Sequence, residues 1–245
     1  MGKIYNEMFE IKKQCDEKMT QLMEEMMAQL QTIDTTKAYN EFDLYCNNLI
    51  NNEPIVHDQL DIFALGYAYN WVKPQDYRSK VIYYFEKYLS DTIKGGNIYL
   101  DYIYNSLGEA YEKEFEFEKA IKYYDLQNKE KLKDFTAPPK VRYKKVCGKK
   151  IKYLYYKSNL GEIDVVFPFF QWFNLYLKIG TDFAINYLES LKTHPYFEED
   201  SDFKNQWEHC WVDAYEKKLR GYVYKPQTKI DQAKFLEVAK RNGWR

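Results

Sequence analysis

The first segment of the chain carries apolar residues at the spacing of an α-helix. These are Ile4, Met8, Ile11, Cys15, Met19, Leu22, Met26, Leu30 and Ile33, separated by steps of three or four residues. Such a pattern repeats every eleven residues, about 3.67 per turn, so the apolar stripe stays on one side of a straight helix. We therefore expect one long amphipathic helix over residues 1–34. Its stripe packs on the rest of the chain or, as the alternative, on a second copy or a partner.

Shorter helical patterns follow, separated by breaks at Pro54, Gly95–Gly96 and Pro138–Pro139. Thr35 and Thr36 can cap the first of these helices. Further helices are predicted near 56–71, 78–90, 98–113, 116–130, 201–220 and 228–241.

The segment 136–165 fits two patterns. Val141, Tyr143, Val146, Ile151, Tyr153 and Tyr155 favour a hairpin that turns at Cys147–Gly148–Lys149. Tyr143, Val146, Cys147, Ile151 and Leu154 equally fit one face of a helix. Because the other segments read as helical, we favour the helix.

Residues 104–124 carry a repeat-like signature. Tyr104, Leu107, Gly108, Tyr111, Ala120 and Tyr124 stand where the tetratricopeptide repeat of about 34 residues has its aromatic, Leu-Gly and Ala positions. The segment therefore resembles this repeat. A second copy lies upstream, with Leu65, Gly66, Tyr69, Val81, Tyr84, Phe85 and Leu89. A weaker third copy lies downstream, with Phe169, Trp172, Phe173, Tyr176, Gly180, Ala184 and Leu188.

The resemblance implies an all-α fold, a right-handed α-α superhelix (a tetratricopeptide-like solenoid) with a long N-terminal helix. We expect the long helix at 1–34 and helical repeats at 35–135. The basic-aromatic segment and the degenerate repeat follow at 136–200, and the C-terminal helices at 201–245. In this family the first helix of each repeat lines a concave groove. Carried over by position, the groove residues are Phe63, Tyr67, Asn70, Trp71, Tyr102, Asn105, Glu109 and Glu112. The alternative is that these residues contact a neighbouring helix, such as the N-terminal one.

The charge is nearly balanced, with 36 Lys and Arg against 37 Asp and Glu, but it is unevenly distributed. Residues 140–157 hold cations and no acid, and Tyr143, Tyr153, Tyr155 and Tyr156 lie among them. Cations bind phosphates and tyrosine rings stack on unpaired bases. The candidate residues for nucleic-acid or polyanion binding are Lys140, Arg142, Lys144, Lys145, Lys149, Lys150 and Lys152.

Composition excludes several other classes. Aromatic residues make up 18% of the chain, 25 of them Tyr, which argues against intrinsic disorder. No catalytic motif, metal-binding cysteine pair, transmembrane run or signal peptide is recognisable in the sequence. We expect no catalytic residue, no metal and no cofactor, four reduced cysteines and a cytoplasmic location.

Together these observations predict a non-catalytic scaffold or adaptor, not an enzyme, that binds a peptide or partner helix in the groove. The alternative is a protein that binds nucleic acid or another polyanion through 140–157. No membrane partner is expected, and self-association through the N-terminal helix is the alternative use of its stripe.

Overall fold

The computed structural model describes residues 2–29, 38–72, 77–90, 99–133, 140–146, 149–158, 161–164, 169–193 and 201–244. The predicted cap at Thr35–Thr36 and the predicted breaks at Gly95–Gly96 and Pro138–Pro139 lie outside these residues.

Ten helices form most of this part of the chain, which confirms the predicted helical class. They are α1 (Lys3–Gln29), α2 (Asn40–Asn51), α3 (Gln59–Val72), α4 (Arg78–Ser90), α5 (Leu100–Lys113), α6 (Phe117–Lys133), α7 (Phe169–Ile179), α8 (Thr181–Leu191), α9 (Ser201–Leu219) and α10 (Lys229–Arg241). Among the helices within these residues, none combines the length and the apolar character that a membrane span requires.

The described part of the basic segment forms strands, so the helix that we favoured is wrong over 140–146 and 149–158, where the hairpin alternative is right. Of the predicted turn, Cys147 and Gly148 lie outside the described residues and Lys149 begins a strand. Strands β1 (Lys140–Val146), β2 (Lys149–Ser158) and β3 (Gly161–Asp164) form an antiparallel sheet in the order β1-β2-β3. A helix here would place like charges four residues apart, as at Lys140 and Lys144, which destabilises it. Valine, isoleucine and tyrosine at alternate positions favour the extended backbone instead.

The chain divides into two compact units, Met1–Ala110 and Tyr111–Arg245. In the first unit, α3 is the central helix, and its residues 62–69 are all buried. Helix α4 approaches α3 closely at Gly66, where a Cβ atom would lie 2.6 Å from the ring of Phe85. The small residue that the repeat pattern places at this position therefore has a packing role in the α3–α4 pair.

Helix α1 packs on its own chain in the first unit. Met8 and Cys15 of its apolar stripe are buried, and the helix contacts α2 and α3. Tyr39 donates a hydrogen bond to Asp16 Oδ1 (2.6 Å), and the backbone N–H of Tyr5 donates one to Asp61 Oδ1 (2.9 Å). Both bonds help to hold α1 in place.

The second unit has an apolar core between α7, α8 and α9. Its buried members are Phe173, Leu177, Ala184, Ile185, Leu188, Leu191, Trp207, Cys210 and Ala214. Trp207 Nε1 donates a hydrogen bond to the carbonyl oxygen of Leu188 (2.7 Å), so its polar atom is satisfied inside the core. At the C-terminal end, Thr228 Oγ1 caps α10 by accepting a hydrogen bond from the N–H of Asp231 (3.0 Å).

Candidate functional site

The predicted groove residues of α3 and α5 other than Glu112 lie in the first unit. The rings of Tyr67 and Tyr102 are stacked with centroids 5.1 Å apart. Asn70 Nδ2 donates hydrogen bonds to the hydroxyl of Tyr102 (2.8 Å) and to Ser106 Oγ (3.3 Å). Because residues three and four apart share one side of a helix, Asn105 and Glu109 extend this surface along α5. We call Asn70, Trp71, Tyr102, Asn105 and Glu109 the α3–α5 face.

Helix α1 covers the two remaining groove residues of the first unit. Phe63 is 1% exposed and Tyr67 is 9% exposed. The ring of Phe9 lies 6.0 Å from that of Phe63 and 5.4 Å from that of Tyr67, and Tyr99 stacks on Phe63 at 4.4 Å. Phe63 and Tyr67 thus contact the N-terminal helix, which is the alternative given above for the groove residues. Asn70, Trp71 and Tyr102 are partly exposed.

Trp71 is held on its other side by α2. Its Nε1 donates a hydrogen bond to Asp43 Oδ1 (2.7 Å), and its ring meets the edge of Phe42 at 5.1 Å. The indole is thus fixed in one orientation while part of it stays accessible. A pre-oriented ring loses little conformational entropy when a ligand packs on it.

The tyrosines of this surface are held in their neutral form. Burial raises the pKa of Tyr67, and it also raises the pKa of Tyr102 against the opposing hydrogen bonds from Asn70 and Ser106. Their hydroxyls are therefore hydrogen-bonding groups rather than charges at neutral pH.

The two predicted acidic residues differ in their partners. Glu109 is exposed in the first unit and accepts a hydrogen bond from Asn105 Nδ2 (2.9 Å). Glu112 belongs to the second unit, where it accepts hydrogen bonds from Lys178 Nζ (2.8 Å) and from the hydroxyl of Tyr124 (3.2 Å). Glu112 thus has a structural role within its own unit.

Sequence reasoning missed a group of polar side chains that bind the carboxylate of Glu53, a residue that follows α2. Lys80 Nζ donates to both carboxylate oxygens of Glu53 (2.9 and 2.7 Å), and the hydroxyls of Tyr69 and Tyr84 donate to it as well. Burial opposes ionisation of Glu53, but these hydrogen bonds outweigh it and lower the pKa of the carboxyl. The partners stand 16 to 31 positions away from Glu53, so no local pattern could have indicated them.

The candidate polyanion residues occupy both faces of the sheet. Backbone register pairs Lys140 with Tyr155 and Arg142 with Tyr153, so these four positions share one face. Lys145 is directly opposite Lys150 on the other face, and Lys152 follows two positions along β2. We call β1 and β2 the basic hairpin.

A hollow of about 410 Å³ lies on the second unit between α6, α7 and α8. We call it the three-helix hollow. Its aromatic walls are Trp172, Tyr176 and Tyr187, and its other lining residues are Glu118, Ile121, Lys122, Asp125 and Ser190. The four α6 residues recur at helical spacing and therefore share one face of that helix. The sequence contains this spacing, but only the packing of three helices reveals the hollow.

The part of the chain that the structure describes contains no group of three or more His, Cys, Asp or Glu placed to hold a metal ion. Cys15, Cys46 and Cys210 are free and buried. Burial raises the pKa of Cys46 to about 12 and that of Cys210 to about 11, so both are unreactive thiols at neutral pH.

Comparison with known proteins adds no relative from which a site could be transferred. No protein-family model, no curated protein and no solved structure matches the chain.

Proposed function

We propose that the protein is a non-catalytic interaction module of the helical-repeat type, a scaffold or adaptor that binds a protein segment on the α3–α5 face. The supporting observation is that the surface formed by α3 and its neighbours already accepts a helix of this chain. Helix α1 inserts Phe9 among Phe63, Tyr67 and Tyr99. An aromatic surface that packs one amphipathic helix is suited to packing a second one beside it.

Each part of the α3–α5 face would contribute differently to binding. The accessible edges of Trp71 and Tyr102 supply apolar area at low entropic cost. Asn70 and Asn105 offer amide groups that hydrogen-bond to a peptide backbone. The exposed carboxylate of Glu109 favours a ligand with a basic residue at the matching position. The right-handed superhelix and the repeat identity belong to this proposal, and the close α3–α4 approach at Gly66 supports them.

The test uses substitutions on the face that leave its core intact. Peptides of about 15 residues would be selected from a display library against the full chain, and their affinities measured by calorimetry. Asn105→Arg and Glu109→Lys should each weaken the selected peptides by about tenfold, because they add bulk or reverse charge where the peptide lies. Glu86→Lys, on the exposed side of α4, is the matched control and should leave affinity unchanged.

Circular dichroism of all three variants should equal that of the wild type, since the substituted side chains are exposed or half-buried. Selected peptides that bind both face variants as tightly as the control variant would contradict the proposal, and so would a selection that enriches no peptide.

A second candidate function, nucleic-acid or polyanion binding, is favoured by the register of the basic hairpin. Like charges directly opposite each other destabilise a strand pair, and Lys145 is opposite Lys150. A phosphate between the two strands would relieve this repulsion. On the other face, Lys140 and Arg142 share their side with Tyr153 and Tyr155, which combines phosphate-binding cations with stacking rings.

Salt dependence of oligonucleotide binding tests this candidate. A single-stranded oligonucleotide of about 20 nucleotides should bind the full chain at about 50 mM salt and dissociate towards 200 mM. Replacing Lys145 and Lys150 together by Gln should reduce the slope of log affinity against log salt by about 0.7, since the one phosphate held between them contributes about 0.7 for single strands. The control pair Lys18→Gln and Lys225→Gln removes two exposed charges elsewhere. Equal slopes for the two double variants would contradict nucleic-acid binding through the basic hairpin.

A further inference from the structure

Another hollow of the second unit, of about 230 Å³, opens between the end of α7, the start of α8 and the segment that follows α9. We call it the α8 hollow. Its lining residues are Leu177, Ile179, Gly180, Thr181, Asp182, Phe183, Tyr222, Val223, Tyr224 and Trp244. A protein cavity of about 150 Å³ holds a benzene molecule. The α8 hollow therefore has room for one bulky apolar side chain.

The rings in the wall of the α8 hollow are held by the core of the unit. Trp244 stacks on Phe117 with ring centroids 5.8 Å apart. Tyr224 meets the ring of Phe235 almost perpendicularly, at 5.2 Å and 86°. Phe117 and Phe235 do not line the hollow, so the packing that fixes these walls does not fill the space in front of them.

The rim of the α8 hollow is apolar and exposed. Phe183 is 38% exposed, Tyr222 39% and Val223 45%. The backbone holds the last two in place, because Gly221, at φ +65°, and Tyr222 donate hydrogen bonds to the carbonyl oxygens of Lys218 (3.0 Å) and Lys217 (2.8 Å) and so end α9 in a tight turn. Exposed apolar side chains gathered around a hollow are typical of an interaction site.

The charge around this rim is positive. Residues 217–225 hold four cations and no acid, namely Lys217, Lys218, Arg220 and Lys225. Asp213, Asp182 and Glu216 form solvent-accessible ion pairs with three of these cations, so four positive charges face three negative ones. The start of α8 adds positive potential, since Gly180 supplies no capping side chain there. Exposed ion pairs are weak, so a carboxylate from a ligand can compete for the same cations.

We propose that the α8 hollow binds a bulky apolar side chain of a partner protein segment that carries acidic residues beside it. The side chain would lie between Phe183 and Val223, and the acidic residues would lie near Lys218. A side chain buried in a pocket and ringed by complementary charge is the usual anchor of a peptide–protein contact. This site lies in a different unit from the α3–α5 face and does not depend on that face.

A protein segment suits this surface better than an anionic lipid surface does. Attraction to lipid grows with each free cation near the membrane, whereas three of the four cations here are already paired. A hollow with room for one side chain also selects an anchor on a folded or extended segment.

The experiment follows the indole N–H resonance of Trp244 by NMR in the full chain. The probe is the capped pentapeptide Asp-Asp-Phe-Asp-Asp, titrated into the low-millimolar range. The comparisons are Asp-Asp-Ala-Asp-Asp, which lacks the ring, and Lys-Lys-Phe-Lys-Lys, which reverses the charge. We expect the acidic phenylalanine peptide to bind about tenfold more tightly than either comparison, because only this peptide offers both the apolar anchor and the matching charge.

Variants locate the site. Val223→Asp should weaken the acidic phenylalanine peptide by about tenfold, because it places a negative charge on the apolar rim. Its matched control is Val212→Asp, since Val212 is a similarly exposed valine on α9. Lys218→Gln should weaken the peptide by about threefold, and Lys240→Gln, an exposed lysine on α10, should not. The indole resonance of the core residue Trp207 reports whether each variant is folded.

Several results would overturn the inference: no shift of Trp244 with the acidic phenylalanine peptide, equal binding of either comparison peptide, or unchanged affinity in Val223→Asp. Sedimentation of the wild type, but not of Val223→Asp, with vesicles of phosphatidylcholine and phosphatidylserine would also overturn it, since the occupant would then be a lipid surface. Glu109→Lys, in the first unit, should leave the Trp244 titration unchanged. Failure of this site would therefore leave the selected library peptides, and the proposed function, unaffected.

Discussion

At the residue scale, the side chain of Glu53 connects the end of α2 to α3 and α4 through hydrogen bonds. It follows α2, yet its carboxylate accepts hydrogen bonds from Tyr69 on α3 and from Tyr84 and Lys80 on α4. The rings of Tyr69 and Tyr84 are stacked at 5.8 Å, which sets both hydroxyls on the same carboxylate. The charged form of Glu53 is therefore the one that the fold stabilises.

We expect the contribution of Glu53 to stability to depend on pH. Its folded-state pKa is lowered by Lys80 and the two tyrosines against the opposing effect of burial. The stabilisation is thus present above the unfolded-state pKa of about 4.3 and is lost as the pH falls through the folded-state value. Glu53→Gln should lower the free energy of unfolding by about 1 kcal/mol at pH 7, a value that allows for solvent screening of this partly exposed carboxylate.

Urea denaturation at a series of pH values measures this effect. The difference between wild type and Glu53→Gln in the free energy of unfolding should shrink towards zero as the pH falls below the lowered folded-state pKa of Glu53. Glu24→Gln, on the exposed side of α1, serves as the control at each pH. A difference that stays constant as the pH falls would show that the ionised form of Glu53 is not the stabilising one.

At the element scale, the α3–α4 crossing depends on the absence of a side chain at Gly66. A Cβ there would lie 2.6 Å from the ring of Phe85 and 3.2 Å from the Cβ of Tyr84. Gly66→Ala should therefore destabilise the chain by about 1–3 kcal/mol, because the overpacking outweighs the better helix propensity of alanine. The measurement is the free energy of unfolding in urea.

A second substitution separates overpacking from other causes. Phe85 is fully buried, so Phe85→Leu alone should destabilise the first unit by leaving a cavity. In the double variant the leucine leaves room for the added methyl group, and the total cost should be smaller than the sum of the two single costs. Additive costs would mean that the two positions are not in steric conflict.

At the scale of the whole molecule, the net charge is nearly zero, but individual surfaces differ in the sign of their charge. The basic hairpin carries cations on both faces, whereas the three-helix hollow has Glu118 and Asp125 in its lining. The α3–α5 face has mainly aromatic and amide groups. The proposed ligands of the basic hairpin and of the α3–α5 face differ in chemistry, since the first would be anions and the second peptide backbones. Each of these two proposals can therefore be tested with variants that leave the other surface unchanged.

Helix bounds were the feature most readily predicted from sequence. Helix α4 was expected at 78–90 and spans Arg78–Ser90, and α10 was expected near 228–241 and spans Lys229–Arg241. The groove positions carried over from the repeat resemblance include Tyr67, Asn70 and Tyr102, which contact one another in the structure. The basic segment was assigned wrongly, because alternating and helical patterns coincide there and strand pairing depends on residues far apart along the chain.

The sequence by itself determined the helical class, most helix positions and the small residue at the α3–α4 crossing, since these follow from short-range periodicity and side-chain size. Only the tertiary structure decided that α1 covers Phe63 and Tyr67, that Lys145 stands opposite Lys150, and that Trp172, Tyr176 and Tyr187 line one hollow. Burial and cross-strand pairing depend on which element packs against which, and such long-range contacts leave no signal in local spacing.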